Sequence, residues 1–140
     1  MKPLIWIPLA VMLAGPAQGW TEPARGSAER RALMDAARPH VETMLGAPLE
    51  FVVGRLRREG NVAFAMLSPQ RPGGGRIDLS RTPVVLRDGW YPDNIEVQVL
   101  YRRSGATWVA VHWAVGATDV WFSTPELCRE WRAVLPEYCR

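Results

Sequence analysis

The most constraining feature of this 140-residue sequence is a pair of alternating runs, residues 94–103 and 107–115, separated by Ser104-Gly105-Ala106. In both runs apolar residues recur at every second position, which is the period of a half-buried strand. A short connection containing glycine between two such runs is typical of a β-hairpin. The sequence therefore predicts two antiparallel strands joined by this loop.

We infer the length of the hairpin loop from the register that places the apolar side chains on one face. A three-residue loop assembles one wholly apolar face, through the pairs Tyr101–Val109, Val99–Val111, Val97–Trp113 and Ile95–Val115. A two-residue turn would put Val109 and Val111 beside Leu100 and Gln98, which divides the apolar residues between two faces. We therefore predict the three-residue loop. The opposite, outer face of the hairpin then comprises Glu96, Gln98, Leu100, Arg102, Trp108, Ala110, His112 and Ala114.

Helix signals occur at both ends of the remaining chain. Ser27 is a favoured helix cap, Gly46 a favoured stop, and between them apolar residues recur at helical spacing: Leu33, Ala37, Val41, Met44 and Leu45. Pro39 lies inside this pattern, so we expect either a kink or two abutting helices. Near the other end, residues 123–126 (Ser-Thr-Pro-Glu) predict a short helix that continues to about Leu135 and ends before Pro136.

A first hairpin is predicted from Leu49 to Leu67. Residues 49–57 and 62–67 are rich in β-branched and aromatic side chains, and Glu59-Gly60 supplies the turn. Apolar side chains point to both faces of this hairpin, which indicates either cover on both sides or contacts in an oligomer such as a homodimer.

These elements predict one small α+β domain. The expected plan is an N-terminal helix packed on a curved antiparallel sheet of about four strands, followed by a short C-terminal helix. The chain is too short for a barrel enzyme or a doubly wound dinucleotide fold, and its 48% apolar content excludes wholesale disorder.

The N-terminus predicts export. Lys2 precedes an apolar run of 13 residues, Pro3 to Gly15, and residues 17–19 (Ala-Gln-Gly) are small enough for signal peptidase cleavage. We expect a signal peptide over residues 1–19, a single domain over residues 20–140, a periplasmic or secreted location, and no membrane insertion after cleavage. Lys2 is the only lysine, so the mature chain carries 16 Arg against 14 Asp plus Glu. This balance lacks the clustered basic face of a nucleic-acid binder.

Both cysteines lie near the C-terminus of the predicted export product. Because exported thiols usually pair, we predict a disulfide between Cys128 and Cys139. The two thiols are far apart and His40 and His112 are the only histidines, so no zinc-like spacing results and we expect no metal site.

Residues 69–93 form a long connection between the two hairpins. Segments of this length are usually functional or contain small elements of their own. Gly73-Gly74-Gly75 lacks the strand and helix context of a phosphate loop, so we interpret it as a flexible turn and expect no cofactor. Trp90 and Tyr91 lie at a tip flanked by Gly89 and Pro92. With Arg71 and Arg76, they are our candidate binding residues in this segment.

Two resemblances add to this interpretation. Residues 37–41 (Ala-Arg-Pro-His-Val), 69–78, 111–116 and 119–120 resemble segments of small exported proteobacterial proteins that have no established activity. The element order resembles the cystatin-like and NTF2-like folds. The resemblance implies export and an α+β plan, and it brings no catalytic residue to this chain.

The sequence supports two functional hypotheses. In the first, the protein is an exported binding or accessory protein of the cell envelope, or more narrowly an inhibitor or immunity module, that contacts a protein or envelope component. Trp90 is its best exposed anchor, and Trp108 beside Tyr101 or Arg102 is a candidate stacking platform.

The alternative is an NTF2-like enzyme or small-ligand binder. Here His112 acts as a general base on the outer face of the second hairpin, near Gln98 and Glu96, with Asp119 downstream. We favour a hydrogen-bonded strand histidine over this arrangement, because one histidine beside acids is commonplace.

Overall fold

The computed structural model describes Met1, Pro3 and residues 19–140, so the predicted signal peptide lies almost entirely outside the described residues. The main elements are α1 (Ala28–Leu45), β1 (Glu50–Glu59), β2 (Val62–Gln70), α2 (Pro83–Leu86), β3 (Val97–Ser104), β4 (Thr107–Val115) and α3 (Pro125–Trp131). The strands form one antiparallel sheet in the order β1-β2-β3-β4. The predicted α+β plan is confirmed.

Helix α1 begins and ends as its sequence signals predict. The Ser27 hydroxyl accepts a hydrogen bond from the Arg30 amide at 3.2 Å, and Gly46 ends the helix with a φ of 80°. The buried stripe is Leu33, Ala37, Val41 and Leu45. The helix runs through Pro39 without interruption, so the alternative of two abutting helices is wrong.

The sheet is covered on both faces. Helix α1 covers one face, over a core that includes Leu56, Ala65, Leu67, Val97, Val99 and Tyr101. The C-terminal segment covers the other face, over Phe64, Leu100, Phe122, Trp131, Val134 and Leu135. Two-sided cover explains why the apolar residues of the first hairpin point both ways.

The predicted register of the second hairpin is wrong. Ser104 pairs with Thr107 across a two-residue turn, and farther from the turn Val99 pairs with Trp113 and Val97 with Val115. The register shifts between Leu100 and Tyr101, opposite the unpaired Val111, which marks a β-bulge. The predicted pairs that included Tyr101–Val109 and Val99–Val111 do not form.

The bulge changes which face each β4 residue occupies. Before it, Trp108 and Ala110 are buried in the core under α1, although the sequence placed them on the outer face. Val109 is 44% exposed and Val111 packs against the C-terminal core, although both were predicted to lie on one buried apolar face of the hairpin. The prediction failed because it assumed one apolar face, whereas this sheet has two.

A disulfide closes the C-terminal segment on itself, and side-chain hydrogen bonds attach the segment to the sheet at two places. Cys128 and Cys139 form the predicted disulfide, with their Cα atoms 5.4 Å apart. The Trp131 indole donates to the Tyr101 carbonyl oxygen at 2.9 Å. Arg57 on β1 donates two hydrogen bonds to the Glu137 carboxylate, at 2.7 and 2.5 Å. These hydrogen bonds hold the second layer against the sheet.

The position of the β-bulge predicts how substitutions at two adjacent β4 residues change the stability of the fold. Ala110→Asp should lower the free energy of unfolding by several kcal/mol, because it buries a carboxylate in the core under α1. Val109→Asp should cost no more than about 1 kcal/mol, because nearly half of this residue is in solvent. Urea denaturation of both variants measures the difference. The three-residue loop would require the reverse order of stability.

The Arg57–Glu137 ion pair should make the stability of the fold depend on pH. Hydrogen bonds from Arg57 lower the pKa of Glu137 from 4.5 to about 2, so the pair stabilises the fold above pH 4.5 and this contribution disappears as the pH falls toward 2. Glu137→Gln should therefore reduce stability at pH 7, by no more than about 1 kcal/mol since Glu137 is half exposed, and have no effect near pH 2. Glu59→Gln, at an exposed site on β1, is the control. A pH-independent loss in Glu137→Gln would contradict the prediction.

Candidate functional site

The connection between the hairpins is folded into small elements. After β2, the Arg71 amide donates to the Gly75 carbonyl oxygen at 2.8 Å, which closes a turn containing the three glycines. Glu50 on β1 fixes this turn by accepting from the Gln70 amide group at 2.7 Å and from the Gly74 backbone at 3.2 Å. A single 3₁₀ turn, Leu79–Arg81, then leads into α2.

The two candidate arginines of the connection have different environments. The Arg71 guanidinium donates to three carbonyl oxygens at the end of α1, those of Leu45, Gly46 and Pro48, at 2.6 to 3.1 Å. These contacts satisfy carbonyls that the helix leaves free, so Arg71 holds the connection against α1. Arg76 lies beyond the glycine turn with its side chain exposed.

Large apolar side chains are exposed where the connection ends. Leu86, Trp90 and Tyr91 are 72%, 43% and 60% exposed, and we call these three residues the loop-tip patch. The backbone beneath them is ordered by hydrogen bonds, because the Gly89 and Trp90 amides donate to the Val85 and Val84 carbonyl oxygens at 3.0 and 3.2 Å. The buried side chains of Val84 and Thr82 anchor α2 to the domain.

Gly116 provides the seat for Trp90. A Cβ atom at Gly116 would lie 3.3 Å from the Trp90 ring and 2.6 Å from the Asn94 carbonyl oxygen. The ring therefore packs over a bare stretch of backbone directly after β4. One side of the indole rests on the domain and the rest remains in solvent.

The structure does not bring the predicted acid and base residues together. His112 is exposed on β4, with its ring edge-on to Trp131 at 5.7 Å between centroids. Gln98 accepts from the Trp121 indole at 3.2 Å, and Glu96 accepts from the Ser68 hydroxyl at 2.7 Å. Within residues 19–140, neither side chain hydrogen-bonds to His112.

The surroundings of His112 are aromatic. With Val111, Trp113 and Trp121, His112 lines an open hollow of about 340 Å³, although the Trp113 ring itself stacks on His40 of α1 with 3.9 Å between centroids. Asp119 lies in the exposed turn that follows β4. The hollow has a titratable ring and apolar walls, but the acids that would orient the ring are engaged elsewhere or exposed.

The predicted stacking platform lies inside the protein. Trp108 is only 5% exposed and Tyr101 is fully buried, both in the core under α1. Burial raises the pKa of the Tyr101 hydroxyl. Trp108 therefore fills the core instead of offering a surface.

A second concave surface was not expected from the sequence. A groove of about 510 Å³ lies between the first half of α1 and β1, and four arginines line it. Arg31 and Arg38 are seven residues apart, which places them on one side of a helix, and this spacing was the available signal. The sequence did not show that β1 would be an edge strand beside them.

Comparisons with known proteins found no match: no family model, no curated protein and no solved structure resembles the chain. In the part of the chain that the structure describes, no group of three or more His, Cys, Asp or Glu side chains is arranged to hold a metal ion. In that same part, no helix is long and apolar enough to cross a membrane.

The seat of Trp90 can be tested with two glycines that share a positive φ. Gly116→Ala should destabilise the domain by clearly more than the ~1–2 kcal/mol that a left-handed alanine costs, and should expose Trp90 further, because the new methyl collides with Asn94 and the ring. Gly105→Ala has a similar φ but open space around it, so it should show the backbone cost alone. Urea denaturation and tryptophan quenching measure both effects. Equal losses of stability in the two variants would show that the Trp90 ring does not pack closely on Gly116.

Proposed function

We propose that this protein is an exported binding or accessory protein of the cell envelope, whose loop-tip patch contacts a partner protein. The observation that carries the proposal is the exposure of Leu86, Trp90 and Tyr91 on a backbone fixed by hydrogen bonds. Clustered large apolar side chains at the surface of a small domain are typical of interaction sites. Tryptophan and tyrosine are also enriched among the residues that dominate binding energy.

The order of the backbone supports high affinity for such a partner. Binding usually costs free energy because loops and side chains lose freedom. Here the Gly89 and Trp90 amides already donate hydrogen bonds to carbonyl oxygens of α2, and one side of the indole packs against Gly116. The patch would therefore lose little further freedom in a complex.

The disulfide supports the proposed location. Disulfides persist in oxidising compartments, and the Cys128–Cys139 bond joins the C-terminal segment to itself within one chain. Together with the predicted signal peptide, this bond favours a periplasmic or secreted protein. An inhibitor or immunity protein is the narrower form of the proposal, since such proteins block a target with a loop of fixed shape.

The His112 hollow favours a second candidate, a small-ligand binder or NTF2-like enzyme. Its aromatic walls suit a flat apolar ligand, and His112 would supply one proton donor or acceptor. The absence of a hydrogen-bonded acid on His112 within the described chain weakens the catalytic form of this candidate.

Trp90→Ala tests the main proposal. The variant should stay folded, with a melting temperature lowered by only about 5 °C, because one side of the ring contacts Gly116 and the rest is in solvent. Its affinity for a partner purified from envelope extract with the parent protein should fall by roughly thirtyfold, since an aromatic anchor contributes ~2 kcal/mol once buried. Calorimetry and thermal denaturation provide the two measurements.

Val109→Ala and His112→Ala are the controls for this experiment. Val109 exposes nearly the same fraction as Trp90 but lies on β4, and its truncation should leave partner affinity unchanged. Loss of binding in His112→Ala with full binding in Trp90→Ala would transfer the function to the hollow. A large drop in melting temperature for Trp90→Ala would assign the indole a structural role.

A further inference from the structure

The groove between α1 and β1 is separate from the loop-tip patch and carries a net positive charge. Four arginines line it, Arg25 just before α1 and Arg30, Arg31 and Arg38 on the helix, together with one carboxylate, Asp35. Its strand side consists of three consecutive β1 residues, Phe51–Val53, of which Val52 is 51% exposed. Charged walls and an apolar strand therefore face the same space.

The positive charge of the groove is only partly neutralised. Arg38 forms an ion pair with Asp35, and Arg30 lies 3.4 Å from the Glu22 carboxylate. Over residues 19–140, the other two guanidinium groups have no carboxylate within 4.0 Å. An anionic ligand in the groove would meet these two charges, and Asp35 is the one carboxylate among the lining residues.

The strand side offers free backbone groups. In an antiparallel pair, alternate residues direct their N–H and C=O groups to the partner strand and away from it. The Leu49 carbonyl oxygen accepts from Arg38 at 3.2 Å, so Leu49 faces away from β2. Phe51 shares this orientation, since it is opposite Pro69, which has no N–H to donate. Phe51 and Val53 therefore present their backbone groups to the groove.

The chain already pairs with another part of this same edge. Thr21 and Arg58 exchange two backbone hydrogen bonds of 2.8 Å in antiparallel geometry, at the other end of β1. Beyond Thr21 the chain passes through Pro23 and turns away into α1. The edge of β1 therefore already forms an antiparallel bridge at one end, and within residues 19–140 no bridge forms at the groove end.

We propose that the groove binds an extended acidic segment of a partner polypeptide, which adds to the edge of β1 as a fifth strand. Main-chain hydrogen bonds to Phe51 and Val53 would provide affinity, as in other cases of strand addition. Alternate side chains of the segment point toward α1, where carboxylates meet the arginines. The intervening side chains lie beside Val52, which favours small apolar residues there.

The charge of the groove selects against a second copy of this chain. Pairing two β1 edges about a two-fold axis would bring two sets of four arginines close together. Like charges in such an interface cost several kcal/mol. An acidic polypeptide has the opposite charge and is favoured by the same arginines.

A defined peptide tests the proposal. The probe is the fluorescently labelled octapeptide acetyl-(Asp-Val)4-amide, titrated with the protein at low salt and followed by fluorescence anisotropy. Arg31→Glu should weaken binding at least tenfold, and because an acidic residue suits the first turns of a helix, it should not unfold the domain. Arg129→Glu makes the same charge change at an exposed site on α3 and should alter the affinity less than twofold.

N-methylated peptides separate strand addition from simple charge attraction. In a strand, the amides of all Asp residues face one edge and those of all Val residues face the other. Methylation of one set of amides should abolish binding. Methylation of the other set should leave the affinity within about threefold of that of the unmethylated peptide. Equal binding of the two methylated peptides would overturn the proposal in favour of nonspecific attraction.

Two further outcomes would also overturn the proposal. Tighter binding of a sulfated oligosaccharide than of the peptide, lost in Arg31→Glu, would assign the groove to anionic polysaccharides. Dimerisation of the free protein that Arg31→Glu strengthens would assign the β1 edge to a second copy of the chain, since the substitution removes the like-charge repulsion.

Discussion

The sheet of this protein needs cover on both faces, and the other elements are arranged to supply it. Strands β2 and β3 lie in the middle of the sheet and direct apolar side chains to both faces, with Ala65 and Val99 toward α1 and Phe64 and Leu100 away from it. Helix α1 is long enough to cover one face. The other face is covered by a short C-terminal segment, whose own helix has only seven residues. The disulfide and the ion pair of Arg57 with Glu137 keep this small layer in place.

The parts of the fold that depend on local signals could be predicted from the sequence. The ends of α1 follow from the conformations that Ser27 and Gly46 favour, and the start of α3 follows from Thr124 and Pro125. The register of β3 with β4 could not be predicted from burial on one face. The bulge at Val111 places that residue and His112 toward the C-terminal layer, while Trp108 packs under α1. Apolar spacing in β4 alone does not distinguish one core from two.

The candidate sites show the same division between local and long-range information. Gly89 and Pro92 flank Trp90, so the sequence indicated an exposed loop tip, and the indole is exposed in the structure. Arg71 looked equally accessible in the sequence, yet it bonds to the end of α1, because the glycine turn brings it there. The groove beside β1 depends on strand order and on the distance between α1 and an edge strand. Neither the strand order nor this distance can be obtained from one sequence.

The two proposed binding surfaces belong to opposite edges of one sheet. The loop-tip patch is held at Gly116, directly after β4, and the basic groove lies along β1. Three interstrand spacings, about 14 Å, separate these edges. The sheet between them is packed on both faces. A protein that holds one partner by an aromatic anchor and another by an added strand could therefore bind both at once. Such simultaneous binding suits an accessory role, in which a small domain joins two larger molecules.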